Sequence, residues 1–398
     1  MYYNVERTKS MMDRAGVDVL VSGAQENLSY FAGVPHLHGC MADLVMYVVV
    51  ARDRVERPIL IAPINAVDLY VQMGSWVDEV RLWGRFFIYQ NEDPSVGPTR
   101  DELRMKELLA QGTVADTAPG ALKHTLEELG LAGARLAIDE RGLIAPATYD
   151  AFSALLPNAS IVHGRQIART IRMVKTPYEI ALMREAARIN DLGVRAIVEA
   201  ARPGISEKEL HRIYLDTIEG ENAHSHHACI QSGTRGGLPN GEPSAKRLEP
   251  GEIVRLDFDL VFQGYYSDIA RTAVVGRPTA RQVTYADAVV AGLEACKAAI
   301  RPGALARDVF EAGVAAVRSA GIPHYDRHHV GHGIGRVCYD DPLLSGTNET
   351  VFEAGMVVNV ETPYYELGWG AAHVEDTVLV TEAGCECLYT LPLSLKFL

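Results

Sequence analysis

Three residues between positions 328 and 376 have the chemistry of divalent-metal ligands. They are His332 in Gly331-His332-Gly333-Ile334-Gly335, Glu361 in Asn359-Val360-Glu361-Thr362, and Glu375 in His373-Val374-Glu375-Asp376. Two more carboxylates, Asp257 and Asp268, stand in Leu256-Asp257-Phe258-Asp259 and Tyr266-Ser267-Asp268-Ile269. One imidazole and four carboxylates suit two hard-to-borderline divalent ions, Mn, Co, Fe(II) or Zn, bridged by carboxylates. Taken singly, an Asp in a strand or a His in a glycine loop is usually structural. All five in a duplicated setting point to a metal site.

Two hairpins must position these groups. From Ile253 to Leu260 the chain alternates strictly, with Val254, Leu256, Phe258 and Leu260 on one face and Arg255, Asp257 and Asp259 on the other. A turn at Gln263-Gly264 and a return strand from Tyr265 to Thr272 bring Asp268 nearly opposite Asp257. Strands from Met356 to Thr362 and from Ala372 to Thr381, folded symmetrically about Gly368, place Glu361 opposite Glu375. Four converging carboxylates with no counter-cation are prohibitively costly, and a metal removes that cost. Glycines beside His332 leave room for close approach of the backbone. Arg255 and Asp259 are placed to orient the ligands from behind.

The hairpins belong to a larger repeat. The segment 200–210, with Arg202-Pro203-Gly204, recurs at 299–309 with Arg301-Pro302-Gly303, and each copy joins two helices that lead into β-rich sequence. Thr176-Pro177-Tyr178-Glu179 is a capping box with proline at the first helical position, opening a helix to about Ala201, and Ser206 opens another. Residues 166–398 therefore read as an α+β domain with a pseudo-two-fold internal repeat and its site between the halves. Residues 1–165 read as a separate α/β domain. Strands are expected at Val17 to Val21, Leu44 to Ala51 and Leu136 to Ile138, and a helix carries Leu122, Leu126 and Leu129 to a stop at Gly130. His36, His38, Arg81, Trp83 and Arg85 are expected to be surface or packing residues, and His224, His226 and His227 solvated.

The 398 residues carry a formal net charge of −13 with no basic run, which argues against a nucleic-acid or anionic-membrane partner. The longest apolar run is strand-length, and the first residues lack a signal-peptide core, so a cytoplasmic protein is expected. Six scattered cysteines show no C-x-x-C pair and indicate neither a disulfide framework nor a zinc knuckle.

On Asp257, Asp268, His332, Glu361 and Glu375, and on the settings Tyr-Ser-Asp-Ile-Ala-Arg-Thr, Gly-His-Gly-Ile-Gly and Val-Glu-Asp-Thr-Val, the chain resembles the pita-bread metallohydrolase family. That family contains Xaa-Pro dipeptidase (prolidase), Xaa-Pro aminopeptidase, methionine aminopeptidase and creatinase. The resemblance implies a creatinase-like N-terminal domain before a pita-bread catalytic domain. It also implies two divalent ions bridged by Asp268 and Glu375, with Asp257 completing one site and His332 with Glu361 the other. Glu361 is then the proton shuttle. A homodimer is implied, the partner subunit's N-terminal domain closing the pocket over a dipeptide or other small molecule. Creatinase works without metal and lacks several ligands; this chain keeps all five and falls with the metal-dependent branch.

Two positions depart from the peptidase pattern. Asn240 and Tyr339 stand where the peptidases have histidines that steady the scissile carbonyl and the tetrahedral intermediate. Amide and phenol still donate hydrogen bonds to a substrate oxyanion, but neither shuttles protons near neutral pH. His373, where the prolidase branch usually has arginine, and His328, which matches a family histidine, are the candidate compensators. The expected activity is metal-dependent hydrolysis of a C–N bond in the manner of an Xaa-Pro peptidase. The alternatives are a specialised hydrolase like creatinase or ectoine hydrolase, a metal-assisted lyase like those acting on dimethylsulfoniopropionate, and a non-catalytic binding module.

Overall fold

The computed structural model describes residues 2–34, 44–72, 74–89, 95, 97–139 and 146–397. Its contacts divide into two compact units, Met1–Arg172 and Met173–Leu398. His36 and His38 lie outside the described residues.

In the first unit, seven strands make one sheet: β1 (Val19–Ser22), β2 (Tyr47–Ala51), β3 (Ile59–Pro63), β4 (Glu79–Trp83), β5 (Thr113–Ala115), β6 (Arg135–Ile138) and β7 (Ser160–His163). Their order is β5-β4-β3-β2-β1-β6-β7. Pairs β1/β2 and β2/β3 are antiparallel and the others parallel. Alternate side chains of β1 feed two cores, as a sheet covered on both faces requires. Val19 and Val21 pack with Leu122 and Leu126 of the helix Ala118–Glu128, and Leu20 packs with Met12 and Phe31. Arg81 pairs with Glu128 at 3.0 Å, the Trp83 indole donates to the Val45 carbonyl, and Arg85 meets Asp116 at 3.3 Å. Asp139 is buried, and its carboxylate accepts from the backbone of Gly23 and Ala24 and from the Asn27 amide.

The second unit is built from two similar halves. In the first half, helix Pro177–Ala200 starts at the Thr176 capping box and helix Glu207–Glu219 at the Ser206 capping box. Strands β8 (His224–Ser232), β9 (Ile253–Phe262) and β10 (Tyr265–Val275) follow. In the second half come helices Ala280–Ala299 and Ala306–Ser319 and strands β11 (Gly331–Gly333), β12 (Val357–Glu361), β13 (Tyr364–Glu366), β14 (Gly370–Ala372) and β15 (Glu375–Val380). The helix-to-helix glycines, Gly204 and Gly303, share one conformation, with φ of 89° and 86°. The order β11-β12-β15-β10-β9-β8 is a palindrome of the two halves meeting at β15/β10. Strand β16 (Cys385–Cys387) pairs with β15 and β17 (Ser394–Phe397) with β10, while β13 and β14 form a ribbon of their own.

Burial of one face holds this sheet in place. Val254, Leu256, Phe258 and Leu260 of β9 sit in a core with Tyr214 and Ile218 of the second helix, as the alternation predicts. The polar faces of β9, β10, β12 and β15 are thereby committed to the other side.

Candidate metal centre

Turn geometry sets where each carboxylate falls. In the first hairpin Gln263 and Gly264 both have positive φ, 47° and 78°, the backbone of a two-residue turn between Phe262 and Tyr265. That turn puts Asp268 in register with Asp259 and leaves Asp257 opposite Ala270. The expectation that Asp257 is nearly opposite Asp268 is therefore corrected by two residues: the pair is diagonal across the strands, and Asp259 is the direct partner. In the second hairpin Glu361 is in register with Glu375, and the same register continues through β13/β14 around Gly368.

His332 enters from β11, in register with Asn359. Gly331 has φ 145°, and a Cβ there would stand 2.1 Å from the Asn359 carbonyl oxygen; at Gly333 a Cβ would stand 2.0 Å from that of Asp341. Only glycine on both sides lets this short strand lie so close to its neighbours.

The polar faces meet in a cavity of about 150 Å³ bordered by Asp257, Asp268, Glu361, His373 and Glu375, with Asn240 and Tyr339 also lining it. Two donor groups stand out. Asp268, His332 and Glu375 form one, and Glu361, His373 and Glu375 the other, the ligating atoms of each lying within 4.8 Å of one another. Glu375 belongs to both. His332 Nδ1 lies 3.0 Å from the Gly333 carbonyl, and its Nε2, 3.6 Å from Asp268, has no hydrogen-bond partner. Both ring nitrogens of the buried His373 also lack one. A buried polar atom without a partner asks for an explanation, and a bound ion is one. Carboxylates around bare imidazole nitrogens are a donor set that fits divalent metal.

Neighbouring side chains fix the carboxylates. Glu361 is held by His329 Nε2 on Oε1 and by Arg327 on Oε2, both at 2.9 Å. The Asn359 amide donates to Glu375. Asp257 receives the buried Arg255 guanidinium at 2.8 Å, and Arg255 is itself anchored on the carbonyls of Leu238 and Pro239. Arg271, almost fully buried, ties β10 to β15 through Asp376 at 2.8 Å and the Glu375 carbonyl at 2.7 Å.

Protonation follows from burial and charge. Burial, reinforced by neighbouring carboxylates, raises Asp268 and Glu375 well above the usual range, and Asp259 rises for the same reasons. Glu361 goes the other way: burial raises it, but the His329 hydrogen bond and the Arg327 charge overcome this and lower it. Burial keeps His332 low and brings His373 down to about 4, so both rings are neutral, the form that binds a metal.

Of the sequence-derived candidates, Asp257, Asp268, His332, Glu361, Glu375 and His373 come together here. Tyr339 stacks on His332, ring centroids 3.6 Å apart, with its hydroxyl 3.4 Å from Glu361 Oε1. Asn240 is exposed beside the cavity. His328 is exposed and, among the described residues, meets its neighbour His329 at 3.3 Å; His329 is the residue that reaches Glu361. Four further residues escaped the sequence reading of the ligand set. His227 and Cys229 of β8 group with Asp257, and Asp259 and Cys338 group with Asp268. Period-2 alternation extended to β8 would have found the first two, since Cys229 is in register with Asp257 and His227 with Asp259.

Comparison with known proteins matches residues 181–382 to a family model described as metallopeptidase family M24 and residues 5–174 to the creatinase/prolidase N-terminal domain. An uncharacterized peptidase of Bacillus subtilis is 33% identical over 269 residues, 65% of this chain and 73% of that protein. An Xaa-Pro dipeptidase of Pyrococcus furiosus is 33% identical over 224 residues, 56% of this chain and 64% of that protein. The solved structure of an Xaa-Pro dipeptidase from Bacillus anthracis superposes with a TM-score of 0.78 at 25% identity, covering 99% of each chain.

Proposed function

The chain belongs to metallopeptidase family M24 and is a metal-dependent hydrolase, and from that premise we propose that it cleaves the C–N bond of a small Xaa-Pro-type dipeptide at the centre just described. The observation that carries the proposal is the pair of carboxylate–imidazole groups sharing Glu375, with bare ring nitrogens facing them. Asp257, Asp268, His332, Glu361 and Glu375 hold two divalent ions in this reading. When bound, such ions polarise a carbonyl and acidify water.

The chain's own residues do the rest. Arg327 and His329 keep Glu361 ionised and fixed. A carboxylate with both oxygens so engaged is a weak base, so for Glu361 to accept a proton one of these donors must let go. The Tyr339 hydroxyl, beside Glu361, donates to the oxygen that gains charge at the scissile carbon, and Asn240 offers a second donor at the cavity. His328, exposed and turned to His329, reaches the carboxylates through that ring, which holds Glu361.

The test is proline release from Gly-Pro and Ala-Pro by chelated protein before and after Mn or Zn is restored. Metal-dependent release is the expected result. Absence of release in metal-loaded protein would reject the dipeptidase form. The second reading, a specialised small-molecule hydrolase, is favoured by Tyr339 lying flat on His332, where it narrows the space beside the centre.

We also propose a cytoplasmic homodimer. Cys229, Cys296, Cys338, Cys385 and Cys387 are free thiols, which suits a reducing compartment. Phe86, Phe87, Ile88 and Tyr89 are 53%, 79%, 40% and 91% exposed, an apolar run of the kind a second copy covers. Light scattering of the intact chain checks the mass.

A further inference from the structure

We propose that His373 is a direct metal ligand, its Nε2 joining Glu361 and Glu375 around one ion as His332 Nε2 joins Asp268 and Glu375 around the other. The inference rests on the metallohydrolase reading above and adds to it. The family resemblance supplies one imidazole, His332, and sets it with Glu361 on one ion; the distances here group Glu361 with His373 instead, which departs from that pattern and gives each ion its own imidazole.

The ring is placed for that role and for no visible alternative. His373 is buried, 3% exposed, between β14 and β15, and neither ring nitrogen has a hydrogen-bond partner. Its Nε2 is 3.7 Å from Glu375 Oε2 and 3.9 Å from Glu361 Oε2, and its Nδ1 is 3.7 Å from Asp257 Oδ2. These separations are too long for hydrogen bonds. They are close to the roughly 3.0–3.5 Å that separates two donors each about 2.1 Å from a shared ion.

The backbone under the ring is fixed as a ligand's should be. The Thr272 hydroxyl accepts from the His373 N–H at 2.7 Å and donates to the His373 carbonyl at 2.8 Å. The Tyr365 ring stands edge-on to the imidazole at 5.9 Å.

His332 shows the same logic in a more settled form. Its Nδ1 lies at hydrogen-bond distance from a carbonyl, which leaves Nε2 bare for an ion. In His373 the Asp257 carboxylate stands on the Nδ1 side, with Arg255 holding that carboxylate from behind. The consequence is metal choice: an imidazole in place of an all-oxygen set shifts preference from Mn towards Zn, Co or Fe(II).

Zn(II) titration by calorimetry and the visible absorption of Co(II)-loaded protein test this, on the full chain and on His373→Ala. The expected result is two ions per wild-type chain. In H373A the affinity for one ion falls by more than about 100-fold, beyond the range that loss of an outer partner costs, its share of the Co(II) absorption changes, and added imidazole restores both. Equal melting temperatures of the chelated wild type and variant show that the fold is kept, and His373→Gln serves if alanine unfolds it. Two ions bound by the variant with unchanged affinity and spectrum would overturn the inference and leave the hydrolase reading standing. No ion bound by the wild type would overturn both.

Discussion

The hairpins β9/β10 and β12/β15 take equivalent places on either side of the sheet's pseudo-two-fold and hold their acidic pairs differently. Glu361 and Glu375 face each other in register, whereas Asp268 faces Asp259 and has Asp257 on the diagonal. Glu361 has the His329 ring on one oxygen and the Arg327 guanidinium on the other and stays ionised. Asp259 and Asp268 have each other and the Cys338 thiol at 3.5 Å from both, and they are pushed towards protonation. Glu375 has a donor, Asn359, but a neutral one, and it is raised like Asp268. Asp139 in the first unit, ringed by neutral donors, is raised too. At Glu361 a hydrogen bond from His329 and the Arg327 charge act together to hold the charge, whereas at Asp268 and Glu375 no such pair acts and a bound ion would supply the compensation.

Glu375→Gln strikes where the two hairpins meet and should have the largest effect. Removing the carboxylate common to both donor groups is expected to lower metal-dependent hydrolysis on the order of 10³-fold, with loss of bound metal by elemental analysis. Activity within tenfold of wild type would mean that the two groups do not share a centre.

A smaller effect separates the hairpins by sign. In chelated protein the raised groups Asp259, Asp268 and Glu375 contribute stability that is full below their unfolded values, 3.8 for Asp and 4.5 for Glu, and lost as pH rises through the folded ones. The lowered Glu361 contributes the opposite: stability present above 4.5 and lost as pH falls. The melting temperature of the chelated chain should therefore drop as pH rises above the unfolded values, by about 5 °C, and divalent metal should cancel the drop. Asp259→Asn should flatten the profile and Glu361→Gln should not. A flat wild-type profile would remove the contrast.

The smallest effect concerns the turn that sets the first register. Gly264, at φ 78°, tolerates a Cβ poorly, and Gly264→Ala should cost about 1–2 kcal/mol of stability in denaturant titration. No cost would mean that the turn does not fix the pairing of Phe262 with Tyr265.

Much of this was legible beforehand because it is local or periodic. The Thr176 and Ser206 capping boxes, the Arg-Pro-Gly repeat, the buried face of β9 and the pairing of Glu361 with Glu375 about Gly368 all follow from spacing, and the structure contains them. The choice between His328 and His329 was not legible. Both lie in one loop, and which ring turns inward depends on where β12 presents Glu361. His227 and Cys229 were missed for a related reason, since each becomes a neighbour of the ligands only through the register of β8 on β9, and Cys338 only through the course of the loop after β11. The Gln263-Gly264 turn was the right one, and counted residue by residue from Phe262 and Tyr265 it sets Asp268 opposite Asp259, so the two-residue shift was legible from the turn itself.

The pairing of β10 with β15 and β17 also has a consequence in time. A chain made from its N-terminus completes β9 and β10, with Asp257, Asp259 and Asp268, long before residue 375 exists, and β10 pairs with nothing of the second half until β15 arrives. Until then three carboxylates share one ribbon with no second imidazole-bearing half to close around an ion. The two donor groups that share Glu375 can therefore close only after both halves of the repeat exist.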